Sequence, residues 1–396
     1  MVDSLSMKPA NSILSSYGVT VFETMSRLAI EMGAINLGQG FPDEDGPEEI
    51  RRLAAEATIE GPNQYPPMLG IPELRQAVAH HNKRFYGLDV DWQTEVMVTS
   101  GATEGLADCM LALIEPGDEV VLIEPLYDCY LPMVRRAGGI PKLVRIKPPN
   151  WELPRQELIK AFSDKTKFIL LNSPHNPAAK VFKHDELEFI GSLIEKHDTY
   201  AICDEVYEHM VFDGRPHIPL MTLPGMRDRC VRLGSAGKTF SMTSWKVGYM
   251  TAPAHLLSAI AKAHQFVTFT TPSSFQRAVA AGLNQADDYF HNLCAQQQSK
   301  RDRIANALKA VGFETLKTEG TYFLTVDIRS VDFNEDDVAF CEHIIRKAGV
   351  AAIPMSAFYQ DASVRHFARF CFCKKDEVLD AATARLGKYL WVKHHS

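Results

Sequence analysis

The chain has 396 residues, 46% of them hydrophobic and 23% charged, the balance of an ordinary globular protein with room for two domains. A formal net charge of −7, with no basic run and no alternation of aromatic and basic residues, argues against a nucleic-acid partner. No long apolar stretch is present, so neither a signal peptide nor a membrane span is expected; the longest candidate, Val120–Ile123, has the length of a buried strand.

The elements follow one another regularly. Short β-rich apolar runs at 95–100 (EVMVTS), 119–125 (EVVLIEP), 166–174 (TKFILLNSP), 199–207 (TYAICDEVY) and 230–238 (CVRLGSAGK) alternate with helical patterns. Runs apolar on both faces, separated by helices, predict an α/β fold whose mostly parallel central sheet is covered on both sides. From Asp287 the pattern changes to a long polar helix, followed by strand patterns at 321–328 and 365–374, which read as a smaller α+β domain. The expected division is an N-terminal segment over 1–45 packing with the small domain, a large domain over 46–286 and a small one over 287–396. Eight cysteines lie at irregular spacing with no paired C-x-x-C, so neither a zinc site nor a disulfide framework is indicated. Cys371 and Cys373 share a strand face and read as packed, reduced thiols, which suits a cytoplasmic protein. The terminal Lys393-His-His-Ser396 is too short for a metal site, and no metal is expected.

In open α/β sheets, ligand groups gather past the carboxyl ends of the strands. Gly101-Ala102-Thr103 opens a helix there, and free N–H groups with a hydroxyl suit a phosphate, although the same residues also cap helices. Tyr127 is placed to stack on a flat ring, or to join the core. Asn176 sits in a stiff Asn-Pro turn, and Asp204 ends an apolar strand as a desolvated carboxylate suited to a protonated ring nitrogen. Tyr207 follows it. Lys238, in Gly237-Lys-Thr239, invites a nucleotide-loop reading that fails on spacing, because the required first glycine is Arg232. A dinucleotide fingerprint fails likewise, with Asp43 third after Gly38 and Gly40. Beyond an apolar strand, burial lowers an ammonium's pKa, and a neutral amine forms Schiff bases. Taken together, the set describes a receptor for pyridoxal phosphate.

The motifs INLGQGFPD (35–43), NQYPPMLGIPELR (63–75), SGATEGL, EPLYDCY, NSPHNP, DEVYEH and SAGKTFSMTSWKVGY, then GVAAIPMSAFY (349–359) and ARFCFCK, run nearly end to end. In that order they resemble the fold-type I, class I/II pyridoxal-phosphate aminotransferases. Within the group the chain is most similar to the methionine and kynurenine/glutamine aminotransferase branch. The resemblance implies that Lys238 forms the Schiff base and moves the proton, that Asp204 pairs with the ring nitrogen, and that Asn176 and Tyr207 bond the ring's phenolic oxygen. It implies stacking by Tyr127 and a phosphate cradle from Gly101, Ala102, Thr103, Ser235 and Lys246, with Tyr65 reaching across a homodimer interface. Arg369 and Gly40 would hold the substrate α-carboxylate, with Phe22, Thr270 and the partner's Phe269 near the side chain. Two features depart from the commoner pattern: Lys246 stands where Arg is frequent, and Ala178-Ala179 replaces Thr-Gly after Asn176-Pro177, removing a flexible turn and a hydroxyl. The expected activity is ping-pong amino transfer from methionine-, glutamine- or aromatic-type L-amino acids to a 2-oxo acid. The alternatives are a cysteine-conjugate or cystathionine β-lyase on the same residues, and a non-enzymatic regulatory or binding protein of the same fold.

Overall fold

The computed structural model describes residues 8–361 and 363–395, with side chains through Leu390. Residues 1–7 of the expected N-terminal segment, and the side chains of Lys393–Ser396, lie outside the described residues.

A seven-stranded sheet has the spatial order Val96–Thr99, Gly248–Thr251, Cys230–Ser235, Tyr200–Asp204, Thr166–Asn172, Glu119–Glu124, Ile140–Arg145. Gly248–Thr251 pairs antiparallel with both neighbours, and every other pairing is parallel. Both faces are covered, as continuous apolar strands require. In Thr166–Asn172, Phe168 and Leu170 face the helices Ala102–Leu113 and Ala254–Val267, while Ile169 and Leu171 face the helix His184–Lys196. The helices Glu48–Glu60, Pro72–Tyr86 and Ser273–Leu283 cover the sheet near Val96–Thr99.

Two of the strands lie outside the apolar runs noted in the sequence. Ile140–Arg145 is an edge strand carrying Pro141 and is only half-buried, so its pattern is weak. Gly248–Thr251 begins at the end of the SAGKTFSMTSWKVGY motif, whose polar residues draw attention from the strand that follows them. Glu95 belongs to a short turn, Trp92–Glu95, and the strand starts one residue later than the run does.

The 24-residue helix Asp287–Ala310 leads into a second, antiparallel sheet of order Ile353–Pro354, Phe367–Cys371, Phe323–Asp327, Glu314–Thr315. Ile35–Asn36 pairs in parallel with Val350–Ala351, which ties the N-terminal stretch to this part of the chain. Alternation along Phe367–Cys371 sends Phe370 toward Phe313, with ring centroids 6.4 Å apart, and sends Arg369 to the opposite face. One cluster of buried side chains runs from Ile169 and Leu171 through Tyr207 to Phe323 and Phe370, so the two sheets share packing. No helix among the described residues is long and apolar enough to cross a membrane.

Candidate active site

A cavity of about 220 Å³ opens at the carboxyl ends of the parallel strands, lined by Ala102, Tyr127, Asn176, Asp204, Lys238 and Lys246 among others. Residues from five separate stretches of sequence meet there because parallel strands all deliver their last residues to one edge.

At one end the chain leaves Val96–Thr99 through Gly101, whose φ of 83° a side chain rarely tolerates, and enters the helix Ala102–Leu113. A Cβ on Gly101 would lie 3.2 Å from Lys246 Nζ, so that ammonium stands directly over the helix start. Gly248 allows the neighbouring strand to press against the same turn: its Cβ would come within 2.6 Å of the Gly101 carbonyl carbon and 2.7 Å of the Ala102 nitrogen. Thr103 and Ser235 line this end as well. Free N–H groups, the positive end of a helix and an ammonium together suit an anion. Glu104 is not part of the cradle, because its carboxylate accepts from Ser100 N–H and from His264 Nδ1, each at 2.6 Å.

Toward the middle, Asp204 ends its strand with 5% exposure. It is not the unpaired carboxylate that the sequence suggests: Tyr130 Oη donates to Oδ2 at 2.6 Å, and Val206 N–H reaches Oδ1 at 3.4 Å. Burial still raises the Asp204 pKa above the ordinary carboxylate range, against the opposing effect of the Tyr130 bond. Asn172 is another residue absent from the expected set. Its Nδ2 donates to the Asp204 carbonyl at 2.9 Å and its Oδ1 accepts from Asn176 N–H at 2.7 Å, fixing both loops. Tyr130 was within reach of sequence reasoning, since it closes the quoted EPLYDCY motif; Asn172 carried no signal beyond ending a strand. Ala179 adopts φ 55°, so the turn after Asn176-Pro177 is kept without its usual glycine, contrary to the expected loss.

Beneath this loop lies a buried ionic network. Arg232, which ruled out the nucleotide loop, donates to Glu205 at 2.7 Å, to Glu208 at 3.2 Å and to Asn82 Oδ1. His217 Nε2 pairs with Glu205 at 2.9 Å, and Tyr86 donates to Glu208 at 2.7 Å. The network therefore grips the residues on both sides of Val206 and Tyr207 from below.

Lys238 lies in a single helical turn, Ala236–Thr239, directly after Cys230–Ser235. Its Nζ donates to Tyr322 Oη at 2.9 Å, and Tyr322 in turn donates to the Gly40 carbonyl at 2.7 Å. Burial lowers the Lys238 pKa, with Cys373, Cys371 and Asp204 opposing it. The Cys371 and Cys373 sulfurs stand 3.2 Å apart on one face, as the spacing implied. Tyr207 is buried and lines the cavity, with Lys238 Nζ 5.8 Å from its ring centre. Tyr322 also escaped the sequence reading: it sits in an apolar strand pattern where a core tyrosine looks the same.

Arg369 reaches the site from the second sheet, set in register between Thr325 and Ile353. It is 2% exposed; Nη1 donates to Asn176 Oδ1 at 2.8 Å and Nη2 to the Gly38 carbonyl at 3.1 Å, while Nε has no partner. Burial lowers its pKa to about 10. The guanidinium stacks 3.8 Å from the centre of Phe323 and 5.7 Å from that of Phe22. Gly40 could not carry a side chain, since a Cβ would fall 2.5 Å from Phe323 Cζ. Arg369, Gly40 and Phe22 do not themselves line the cavity, and neither do Tyr65, Phe269 and Thr270. Tyr65, 82% exposed, meets Phe269 edge-on at 5.4 Å. Thr270, the residue after Phe269, has a buried Oγ1 without a partner.

The sequence matches the family described as aminotransferase class I and II over residues 33–386. The chain belongs to this family. The aminotransferase is 41% identical over 375 residues to the methionine aminotransferase of Escherichia coli (strain K12), covering 95% of this chain and 97% of that protein. It is 42% identical over 387 residues to a probable N-succinyldiaminopimelate aminotransferase of Mycobacterium tuberculosis (strain H37Rv), with the same coverages. A kynurenine–oxoglutarate transaminase of Dictyostelium discoideum is 39% identical over 413 residues, covering 94% of this chain and 95% of that one. Among solved structures, one from Escherichia coli described as having a methionine aminotransferase function superposes with a TM-score of 0.94 at 40% identity, over 96% of this chain and 100% of that one.

Aminotransferases of this class use pyridoxal phosphate. The cavity fits that group on its own chemistry. A glycine-lined anion cradle stands at one end, and a buried carboxylate with space before it lies in the middle. A buried lysine whose pKa is held down completes the set.

Proposed function

We propose that this aminotransferase takes methionine-, glutamine- or aromatic-type L-amino acids as donors, passes the amino group to a 2-oxo acid in ping-pong order, and works as a cytoplasmic homodimer. The observation that carries the reading is Arg369, fully buried beside apolar rings with its Nε unpartnered and Asn176 beside it. A buried guanidinium with a free donor edge suits a substrate α-carboxylate, held by two parallel bonds. The rings of Phe22 and Phe323 around it favour an apolar side chain over a second carboxylate.

Each residue then has a task. Bound pyridoxal phosphate supplies an electron sink for negative charge at the substrate's Cα. Asp204 would hold the ring nitrogen protonated, and Tyr130 holds Asp204. Asn176 and Tyr207 would bond the ring's phenolic oxygen, and Tyr127 would stack on the ring. Ala102, Thr103, Ser235 and Lys246 would hold the phosphate. Lys238 Nζ takes the proton from the substrate Cα, a step that the lowering of its pKa by burial favours. Tyr322, bonded to Nζ, aims it.

The dimer reading is supported by Tyr65 and Phe269, with neighbouring Phe266 80% exposed, forming an apolar surface outside their own chain's cavity. The proposed division into 1–45, 46–286 and 287–396 is supported by the separate sheets and by the Ile35–Asn36 pairing with Val350–Ala351. Eight free cysteines accord with a reducing compartment. The decisive experiment measures 2-oxo acid release from a panel of amino acids by the cofactor-loaded protein. Methionine, glutamine and phenylalanine should lead. Aspartate and glutamate far ahead of them would overturn the substrate reading, and full activity in a stable monomer would overturn the dimer.

A further inference from the structure

A second hollow, of about 560 Å³, opens beside the site between the N-terminal stretch and the helix Tyr130–Arg136. It adjoins the site: Tyr127 lines both spaces. Phe22 and Phe358, which wall the hollow, lie with their ring centres 5.7 and 4.7 Å from the Arg369 guanidinium. Arg369 therefore lies beside the wall of the hollow. Phe22, Leu126, Leu131 and Phe358 make much of the wall apolar.

Two charged residues punctuate that wall. Asp128 follows Tyr127 directly and is the sole acid among the lining residues. Arg135 lies in the last turn of Tyr130–Arg136, five residues on from Tyr130 and so about 7 Å further along the helix. Its Nη1 donates to Tyr17 Oη at 3.1 Å, and it has no carboxylate partner among the described residues. Arg145, by contrast, pairs with both Glu124 and Asp361, and Arg155 with Asp185.

We propose that the hollow is the subsite for the substrate side chain, and that Arg135 with Tyr17 receives a carboxylate carried at the far end of a long, otherwise apolar chain. The proposal rests on the aminotransfer reading above and adds long-chain dicarboxylates to its substrate class. A short acid, such as aspartate or glutamate, would end beside Asp128 and be repelled. A chain of about six carbons passes that carboxylate and places its own beside a guanidinium with donors to spare. Apolar donors such as methionine use the near wall and do not reach Arg135.

The test compares L-2-aminosuberate with L-2-aminooctanoate, which differ only in a terminal carboxylate against a methyl, with methionine as the short reference. Wild type is compared with Arg135→Gln and Tyr17→Phe, all loaded with cofactor. Arg135→Gln should lower kcat/KM for aminosuberate about tenfold, through KM, and leave aminooctanoate and methionine within about twofold. Tyr17→Phe should give a smaller loss, about threefold, on the same substrate alone. Calorimetric binding of the two long acids to Lys238→Ala protein, which does not turn them over, should show the same preference in affinity. Equal effects on both long acids, no effect on either, or equal affinities in the Lys238→Ala protein would overturn the subsite while methionine turnover stands. Absence of turnover with every amino acid in wild type would overturn the aminotransfer reading and this proposal with it.

Discussion

Replacing Tyr130 with Phe isolates one atom. The residue is 3% exposed and its ring packs edge-to-face on Tyr127 with centres 5.7 Å apart, so Phe keeps the volume and the packing. What is lost is the hydroxyl that donates to Asp204 Oδ2 at 2.6 Å; the carboxylate's remaining donor, Val206 N–H, is distant at 3.4 Å. A hydrogen bond to a buried charge contributes about 1.5–3 kcal/mol, so its loss raises the Asp204 pKa further. The direction in pH follows from linkage. Burial already holds the Asp204 pKa above its unfolded value, so the stability tied to this group is present at low pH and is lost as pH rises through the folded pKa. Removing the donor to the ionised form deepens that loss. Urea unfolding of cofactor-free protein should therefore show the variant less stable by about 1.5–3 kcal/mol near pH 8. The gap should narrow as acid protonates the carboxyl, where only a neutral bond of about 0.5–1.5 kcal/mol is missing. A gap below about 0.5 kcal/mol at the higher pH, or one independent of pH, would refute the reasoning, since neither is compatible with a charged acceptor.

Other outcomes follow from the same geometry. Arg369→Lys should lower kcat/KM by about a hundredfold, mainly through KM, because an ammonium cannot replace two parallel bonds while also holding Asn176 and the Gly38 carbonyl; steady-state kinetics with methionine would contradict this if the loss were under about threefold. Gly248→Ala should raise the dissociation constant for pyridoxal phosphate at least about tenfold in equilibrium dialysis, since its Cβ would lie 2.6 Å from the Gly101 carbonyl carbon and push on the phosphate cradle; an unchanged constant would sink that account. Arg232→Met should cost about 3–5 kcal/mol of stability in urea unfolding, because Glu205 and Glu208 would be left buried without their cation. A cost under about 1 kcal/mol would mean that the network is not coupled to the fold. Lys238→Ala should abolish amino transfer while leaving the unfolding curve of cofactor-free protein within about 1 kcal/mol of wild type, as its Nζ makes a single bond, to Tyr322.

The sequence by itself determined the architecture and the chemical type of the site. Strands such as Thr166–Asn172 are apolar on both faces, and such a segment can be satisfied only inside a covered parallel sheet, which in turn sends its last residues to one edge. Lys238, Asp204, Asn176 and the Gly101 turn were legible for that reason: each is a polar residue or glycine directly after an apolar run. The tertiary structure alone decided what those residues touch. Tyr322 looks like a core tyrosine, and Tyr130 like the tail of a motif, until distant segments bring them against Lys238 and Asp204, 84 and 74 residues away in sequence. Arg232 read only as a missing glycine, because an alternating strand pattern says which face a side chain takes and not which charges wait there. Arg135 drew no notice in the sequence; only the fold sets the N-terminal Tyr17 against it, across a hollow walled by Phe22 and Phe358. Local pattern is fixed by backbone geometry within a few residues. Partnership across the sheet depends on packing between segments far apart in the chain, and no local periodicity encodes it.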